Sequence, residues 1–302
     1  MSTQQVQMVL MEYLINKGYK VFNNDGYLFA EGDLPICLVA HMDTVLHRVP
    51  YDFFYDKQRG VLFSPDTGLG ADDRAGIYAI LYLINAGYRP SVIFTDKEEC
   101  GGIGARSLVA AYPACPFKEC KAIIELDRAN KNDCVFYDCD NESFERLINS
   151  YGFKTDIGSF SDISVIAPTW KIAAVNLSIG YYNEHTHAEY FNIYECHKTI
   201  EKVKRMLVEC KNWVNYDYVP FDYSKYGKYG YMSPYYSKYM YDEKPWWNKC
   251  TCAVCGKSLA NNEGRFVATP LGYELICDNC KEDDLFDIIC PEKASYESPQ
   301  ED

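Results

Sequence analysis

The sequence predicts an α/β domain with a reactive site along one edge of its sheet. Three observations carry this. Short apolar, β-branched runs at 36–40, 91–95, 122–124 and 172–177 alternate with stretches of helical periodicity, the pattern of a sheet covered by helices. The first three runs lead into acidic residues, and the first also into a histidine; ligands of open α/β sheets bind beyond the carboxyl ends of strands. After residue 213 the periodicity stops and a tail of different composition begins.

At 302 residues the chain has room for one large domain, or a domain plus an appendage. With 48% hydrophobic and 15% aromatic residues it can build a substantial core. A formal charge of −13 argues against a nucleic-acid or anionic-membrane binder. Bound divalent cations would neutralise part of that charge. The amino terminus lacks a basic start and long apolar core, and no apolar run is long enough to span a bilayer. Fourteen cysteines in that context read as reduced thiols or metal ligands. A cytoplasmic protein is expected.

In order, Val6, Leu10, Tyr13 and Leu14 stand at helical spacing and Gly18 stops the run. Asn24-Asp25-Gly26 marks a hairpin between two aromatic-rich strands. The strand 36–40 then delivers His41-Met42-Asp43-Thr44. In extended backbone His41 and Asp43 share a face, and a metal-ligating imidazole usually has its other nitrogen held by a carboxylate. Gly68-Leu69-Gly70-Ala71-Asp72-Asp73-Arg74-Ala75-Gly76 runs into an apolar helix at 77–85. One of the two acids would serve as its N-cap, but a cap needs only one, and the glycines let backbone approach a ligand.

The strand 91–95 ends in Glu98-Glu99 followed by glycines. Adjacent side chains on extended backbone point apart, so one glutamate can bind a metal while the other takes a proton from water. A helix is expected at 104–111, then a strand leading to Glu125-Leu126-Asp127-Arg128, where Asp127 sits nearer the end. Residues 165–166 and 172–177 are further strand candidates; the second leads through Gly180-Tyr181-Tyr182 to His185-Thr186-His187-Ala188-Glu189. Val203, Met206, Leu207 and Cys210 line one stripe of a closing helix at 200–213.

Residues 216–241 carry ten tyrosines among Gly, Ser, Lys and Pro without periodicity, so 214–248 reads as a tyrosine-rich linker. Beyond it, Cys252-Ala253-Val254-Cys255 and Cys277-Asp278-Asn279-Cys280 are separated by 21 residues. Two Cys-x2-Cys knuckles at such spacing point to one tetrahedral structural zinc, with Cys250 and Cys290 as spare thiols. Residues 265–268 and 273–276 fit short strands, and 249–292 resembles a zinc ribbon before an acidic tail at 293–302.

Across residues 1–213, His-Met-Asp-Thr (41–44), Gly-Ala-Asp-Asp-Arg-Ala-Gly (70–76), Glu-Glu-Cys-Gly-Gly-Ile-Gly-Ala (98–105), Glu-Leu-Asp-Arg (125–128) and His-Thr-His-Ala-Glu (185–189) occur in succession. Together they resemble the co-catalytic two-zinc exopeptidase and deacylase superfamily, including peptidase T and the glutamyl aminopeptidases. The resemblance implies a three-layer α/β/α domain with a central twisted mixed sheet. It implies one zinc on His41 and Asp127, a second on Glu99 and His185, and Asp72 bridging both, with cobalt or manganese as alternative metals. Asp43 would orient His41, and Glu98 would be the general base toward a metal-bridged water. His187 is the rival of His185; the His-x-x-x-Glu pattern favours His185.

Many relatives insert a dimerisation lid before the last histidine, and residues 128–184 leave no room for one. Tyr181, Tyr182 or His187 are candidates for the substrate contacts a lid would supply. Asp127, rather than Glu, as third ligand leans toward aminopeptidases. The leading expectation is a two-zinc aminopeptidase or small-peptide hydrolase. The alternatives are an amidohydrolase of a small acylated molecule, and an idle domain whose C-terminal module binds a protein partner. The sequence does not give an oligomeric state.

Overall fold

The computed structural model describes residues 2–46, 49–65, 67–222, 254–255, 265–269, 272–277 and 279–281. The chain divides into two compact units, Met1–Tyr231 and Met232–Asp302.

The first unit is built on an eight-stranded mixed sheet. Its strands are β1 (Lys20–Asn24), β2 (Tyr27–Glu31), β3 (Leu34–His41), β6 (Pro90–Thr95), β7 (Ala122–Arg128), β8 (Asp133–Val135), β9 (Lys154–Thr155) and β10 (Ala174–Ser178). They stand in the order β1-β2-β6-β3-β7-β10-β8-β9. The four central strands β6, β3, β7 and β10 are mutually parallel. They are also its most apolar, as strands covered on both faces must be. A separate four-stranded sheet is formed by β4 (Phe54–Asp56), β5 (Val61–Phe63), β11 (Tyr181–Tyr182) and β12 (Tyr190–Asn192), in the order β11-β12-β5-β4.

Alternation along β3 divides the core. Ile36, Leu38 and Ala40 face α1 (Thr3–Asn16), α2 (Ala71–Asn85), α4 (Glu142–Ser150) and α6 (Ile193–Glu209). Cys37 and Val39 face α3 (Ile103–Ala111) and α5 (Ile163–Trp170) on the other side. This is the expected α/β/α layering. Leu38, Ile80 and Val203 are among the fully buried side chains, each contributing roughly 1.5–3 kcal/mol by leaving water.

Several boundaries differ from expectation. Residues 165–166 belong to α5, not to a strand: Ile163, Ile166, Ala167 and Trp170 are buried at helical spacing, so the helical stripe outweighs the β-branched pair. The closing helix begins at Ile193, seven residues early, because Asn192 caps it by accepting from the Tyr194 and Glu195 amides. The polypeptide also stays on the first unit past 213. Trp213 is buried, Tyr216 and Tyr218 pack on the core, and Asp217 and Pro220 make isolated bridges to Ile172 and Cys139.

In the second unit, β13 (Arg265–Thr269) and β14 (Gly272–Ile276) pair antiparallel as a hairpin. The Sγ atoms of Cys255 and Cys277 are 3.8 Å apart, and those of Cys277 and Cys280 3.5 Å. These three thiols could hold one metal ion. Cys250, Cys252, Cys290, most of the tyrosine-rich linker and the acidic tail lie outside the described residues.

Candidate metal centre

Register brings the candidate ligands to one sheet edge. His41 at the end of β3 pairs with Thr95 at the end of β6. Val39 pairs with Glu125, which sets Asp127 beside them at the end of β7. His41 Nε2 lies 3.0 Å from Asp72 Oδ1 and 3.4 Å from Asp127 Oδ1. His185 Nε2 lies 3.0 Å from Asp72 Oδ2 and 2.9 Å from Glu99 Oε1. The two oxygens of Asp72 therefore face two different imidazoles. Potential ligand atoms of His41, Asp72 and Asp127 fall within 4.8 Å of one another, as do those of Asp72, Glu99 and His185. A third group, His41, Glu98 and Glu99, meets the same limit.

The adjacent aspartates divide two tasks. Asp73 accepts from the Gly76 amide at 2.9 Å, as an N-cap would, and from the His41 amide at 3.2 Å. Asp72 is thereby left for the cluster. Gly76 is required here, because a Cβ would stand 2.2 Å from the Leu126 carbonyl oxygen. Asp43 faces His41 Nδ1 at 3.3 Å and accepts from the Glu98 and Glu99 amides at 3.1 and 3.2 Å. It thus ties the imidazole to the segment carrying both glutamates.

Charge in this pocket is poorly matched by protein groups alone. Burial, reinforced by the negative charge of Asp127, pushes the Glu98 carboxyl up to about 9. Burial likewise raises Asp127 to about 7 and Asp162 to about 6. Hydrogen bonds to Asp72 and Glu99 raise His185 to about 10. Carboxylates crowded around two imidazoles form a donor set suited to divalent cations. Mixed nitrogen and oxygen ligands favour zinc among them, with cobalt and manganese as chemical relatives.

A cleft of about 340 Å³ opens over the cluster, lined by Glu98, Glu99, Asp127, Tyr137, Phe160 and Tyr181 among others. Of the expected substrate contacts, Tyr181 reaches this cleft, although its hydroxyl donates to Asp127 at 3.2 Å. Tyr182 does not: its ring stacks on Tyr190 with centroids 4.8 Å apart and its hydroxyl donates to Glu195. His187 is exposed and is absent from the cleft lining.

Two supporting residues lie beyond what the motifs assign. Glu189 is buried and accepts from the amides of Leu69, Gly70 and Asp72, clamping the turn that presents Asp72. Asn176 accepts from the Asp127 amide at 3.0 Å and donates to its carbonyl at 2.9 Å. The available signal for Asn176 was an amide side chain inside an apolar strand; for Glu189 it was the last letter of the histidine motif.

No protein-family model matches the chain, and no curated protein does. Solved structures do. The aminopeptidase PepT of Bacillus cereus aligns at 19% identity over 68% of this chain and 92% of its own, with a TM-score of 0.52. A tripeptidase of Staphylococcus aureus aligns at 16% identity over 69% of this chain and 93% of its own, with a TM-score of 0.57. The first unit has the fold of these peptidases. In this fold the cluster stands at the carboxyl edge of the central parallel strands, where α/β sheets bind ligands. Among the described residues, no helix is long and apolar enough to cross a membrane.

Proposed function

We propose that this chain is a metal-dependent hydrolase of peptide bonds, acting next to a free amino terminus. The observation that carries this is the pair of ligand groups sharing Asp72, His41–Asp72–Asp127 and Asp72–Glu99–His185. It is supported by the fold shared with an aminopeptidase and a tripeptidase. In this reading His41 and Asp127 would hold one zinc, Glu99 and His185 the other, with Asp72 available to both. Cations bound there would supply Lewis acidity, lowering the pKa of water and offsetting charge on the carbonyl oxygen.

The remaining work falls to the chain's own groups. Asp43 keeps His41 in the tautomer whose Nε2 is free to ligate. Glu98 takes the proton of the attacking water and passes it to the departing amine. Its position in the cleft puts it within reach of a substrate. Tyr181 holds Asp127 from the cleft side. In the second unit, Cys255, Cys277 and Cys280 would hold a structural zinc, the Cys-x2-Cys spacing offering Cys252 as the fourth ligand, and the module is a candidate protein-binding surface.

The test is mass spectrometry of short peptides, free and amino-blocked, incubated with the zinc-loaded protein. Stepwise loss of amino-terminal residues from the unblocked peptides alone is expected. Removal of the blocking acyl group would instead assign a deacylase, and inert peptides would reject the proposal. The clamp is tested separately. Glu189→Gln keeps the size of the side chain but weakens its grip on three amides, and is expected to lower metal affinity about 10–100-fold in chelator competition. Unchanged affinity would remove Glu189 from the metal centre.

A further inference from the structure

Arg128 closes the Glu-Leu-Asp-Arg motif, and the proposed chemistry leaves it without a task. It stands at the end of β7, one residue past Asp127, and lines the same cleft. Among the described residues of that lining it is the only arginine or lysine. Five carboxylates border the same space, those of Asp72, Glu98, Glu99, Asp127 and Glu184.

The guanidinium is held in place and yet under-used. Its Nη2 pairs with the Asp156 carboxylate, and the Asp156 amide donates to the Cys134 carbonyl at 2.9 Å, which fixes that partner against β8. The Arg128 carbonyl accepts from the Ile179 amide at 2.9 Å, so the arginine backbone is fixed as well. Only 16% of the arginine side chain is exposed, against 43% of that of Asp156. A guanidinium offers a fork of N–H donors and never loses its charge. Here the Nε–H is buried with no acceptor among the described residues. A desolvated charge with donors to spare costs free energy, and one half-exposed carboxylate offsets only part of it.

The size of the cleft says which anion completes the pairing. About 340 Å³ lies at the lower end of ligand pockets, room for a short peptide rather than a long one. With the first peptide bond at the histidine–carboxylate cluster, the remainder of a short peptide still lies inside the cleft. Any carboxylate it carries there must stand among the protein's own, and Arg128 is the described side chain suited to receive it bidentately. We infer that Arg128 binds a substrate carboxylate on the leaving-group side of the scissile bond, selecting short peptides that carry one. Two sources share this chemistry, the peptide's terminal carboxylate and the side chain of an acidic residue. The inference rests on the peptidase reading above.

The experiment compares three probes on the zinc-loaded full chain: trialanine, trialanine amide and alanyl-glutamyl-alanine amide. A site for the terminal carboxylate is expected to raise kcat/KM for trialanine over its amide by about 10–100-fold, the range for a charge-assisted pair. A site for an acidic side chain would instead raise alanyl-glutamyl-alanine amide over trialanine amide by as much. Arg128→Gln is expected to bring the preference down toward unity and Arg128→Lys to keep part of it, with zinc content as in the wild type. Equal kcat/KM for all three probes, or a preference that survives Arg128→Gln, would overturn the inference and leave the peptidase reading standing. If no probe is cut, the peptidase reading fails, and calorimetric binding of the same probes decides the inference. Tighter binding of a carboxylate-bearing probe, abolished by Arg128→Gln, would uphold it; equal binding or none would overturn it.

Discussion

Glu98→Ala will lower peptide turnover by about 10²–10⁴-fold, the range for losing a general acid–base group, while the protein keeps its full metal content. The pairing of these two outcomes is what matters. Glu98 belongs to one of the candidate ligand groups, with His41 and Glu99. Its carboxyl nevertheless makes no hydrogen bond to a described residue, whereas Glu99 Oε1 lies 2.9 Å from His185. If Glu98 were a metal ligand, the alanine variant would lose metal together with activity. If it is the proton carrier, activity falls and metal stays. Glu98→Gln, which keeps size and hydrogen bonding but cannot exchange the proton, should be as impaired as alanine. Metal analysis beside single-turnover rates separates the cases, and near wild-type turnover in either variant would remove Glu98 from the chemistry.

Three residues of the cluster were legible because each follows a strand that announces itself. His41, Glu99 and Asp127 come at or just after apolar β-branched runs, and a buried parallel strand ends where polar residues begin. The Asp72-Asp73 pair was legible as a pair, but which acid capped the helix and which faced the histidines depended on tertiary partners. Asp73 is committed to the His41 and Gly76 amides, and the His41 amide lies on β3, remote in the chain. The Glu189 clamp and the Asn176 bracket join residues far apart in the chain, and periodicity carries no information about such pairings. The helix Glu142–Ser150 leaves little trace in the sequence because it buries only Phe144 and Ile148, too few apolar positions to stand out. The β4–β5 hairpin leaves none for the opposite reason: its aromatics do not alternate between core and solvent, so no period marks them.

Asp72→Ala is expected to reduce bound metal from two ions to one or none and to abolish turnover, because Asp72 is the residue common to both ligand groups. His41→Ala and His185→Ala, each in one group only, should leave the other ion more strongly held than Asp72→Ala does. Removing the metal from the wild type with a chelator should expose the charge imbalance as a pH-dependent stability. Glu98, Asp127 and Asp162 hold their protons up to about 9, 7 and 6 in the folded chain, against roughly 4 when unfolded. His185 is raised to about 10. Between pH 4 and 9 the folded state therefore binds more protons than the unfolded one, and stability must fall as pH rises. Asp72 is shifted the other way, by its bonds to His185 and His41 against the effect of burial, so its contribution changes only below the ordinary carboxylate range. The chelated protein should melt several degrees lower at pH 8.5 than at pH 6. Restored zinc, which displaces those protons, should bind more tightly at the higher pH and flatten or reverse the trend. Calorimetry of both forms at the two pH values decides it. A chelated protein whose melting temperature rises from pH 6 to 8.5 would show that these carboxylates are not held as neutral acids, and with that the electrostatic case for a pair of cations in this cleft would fail.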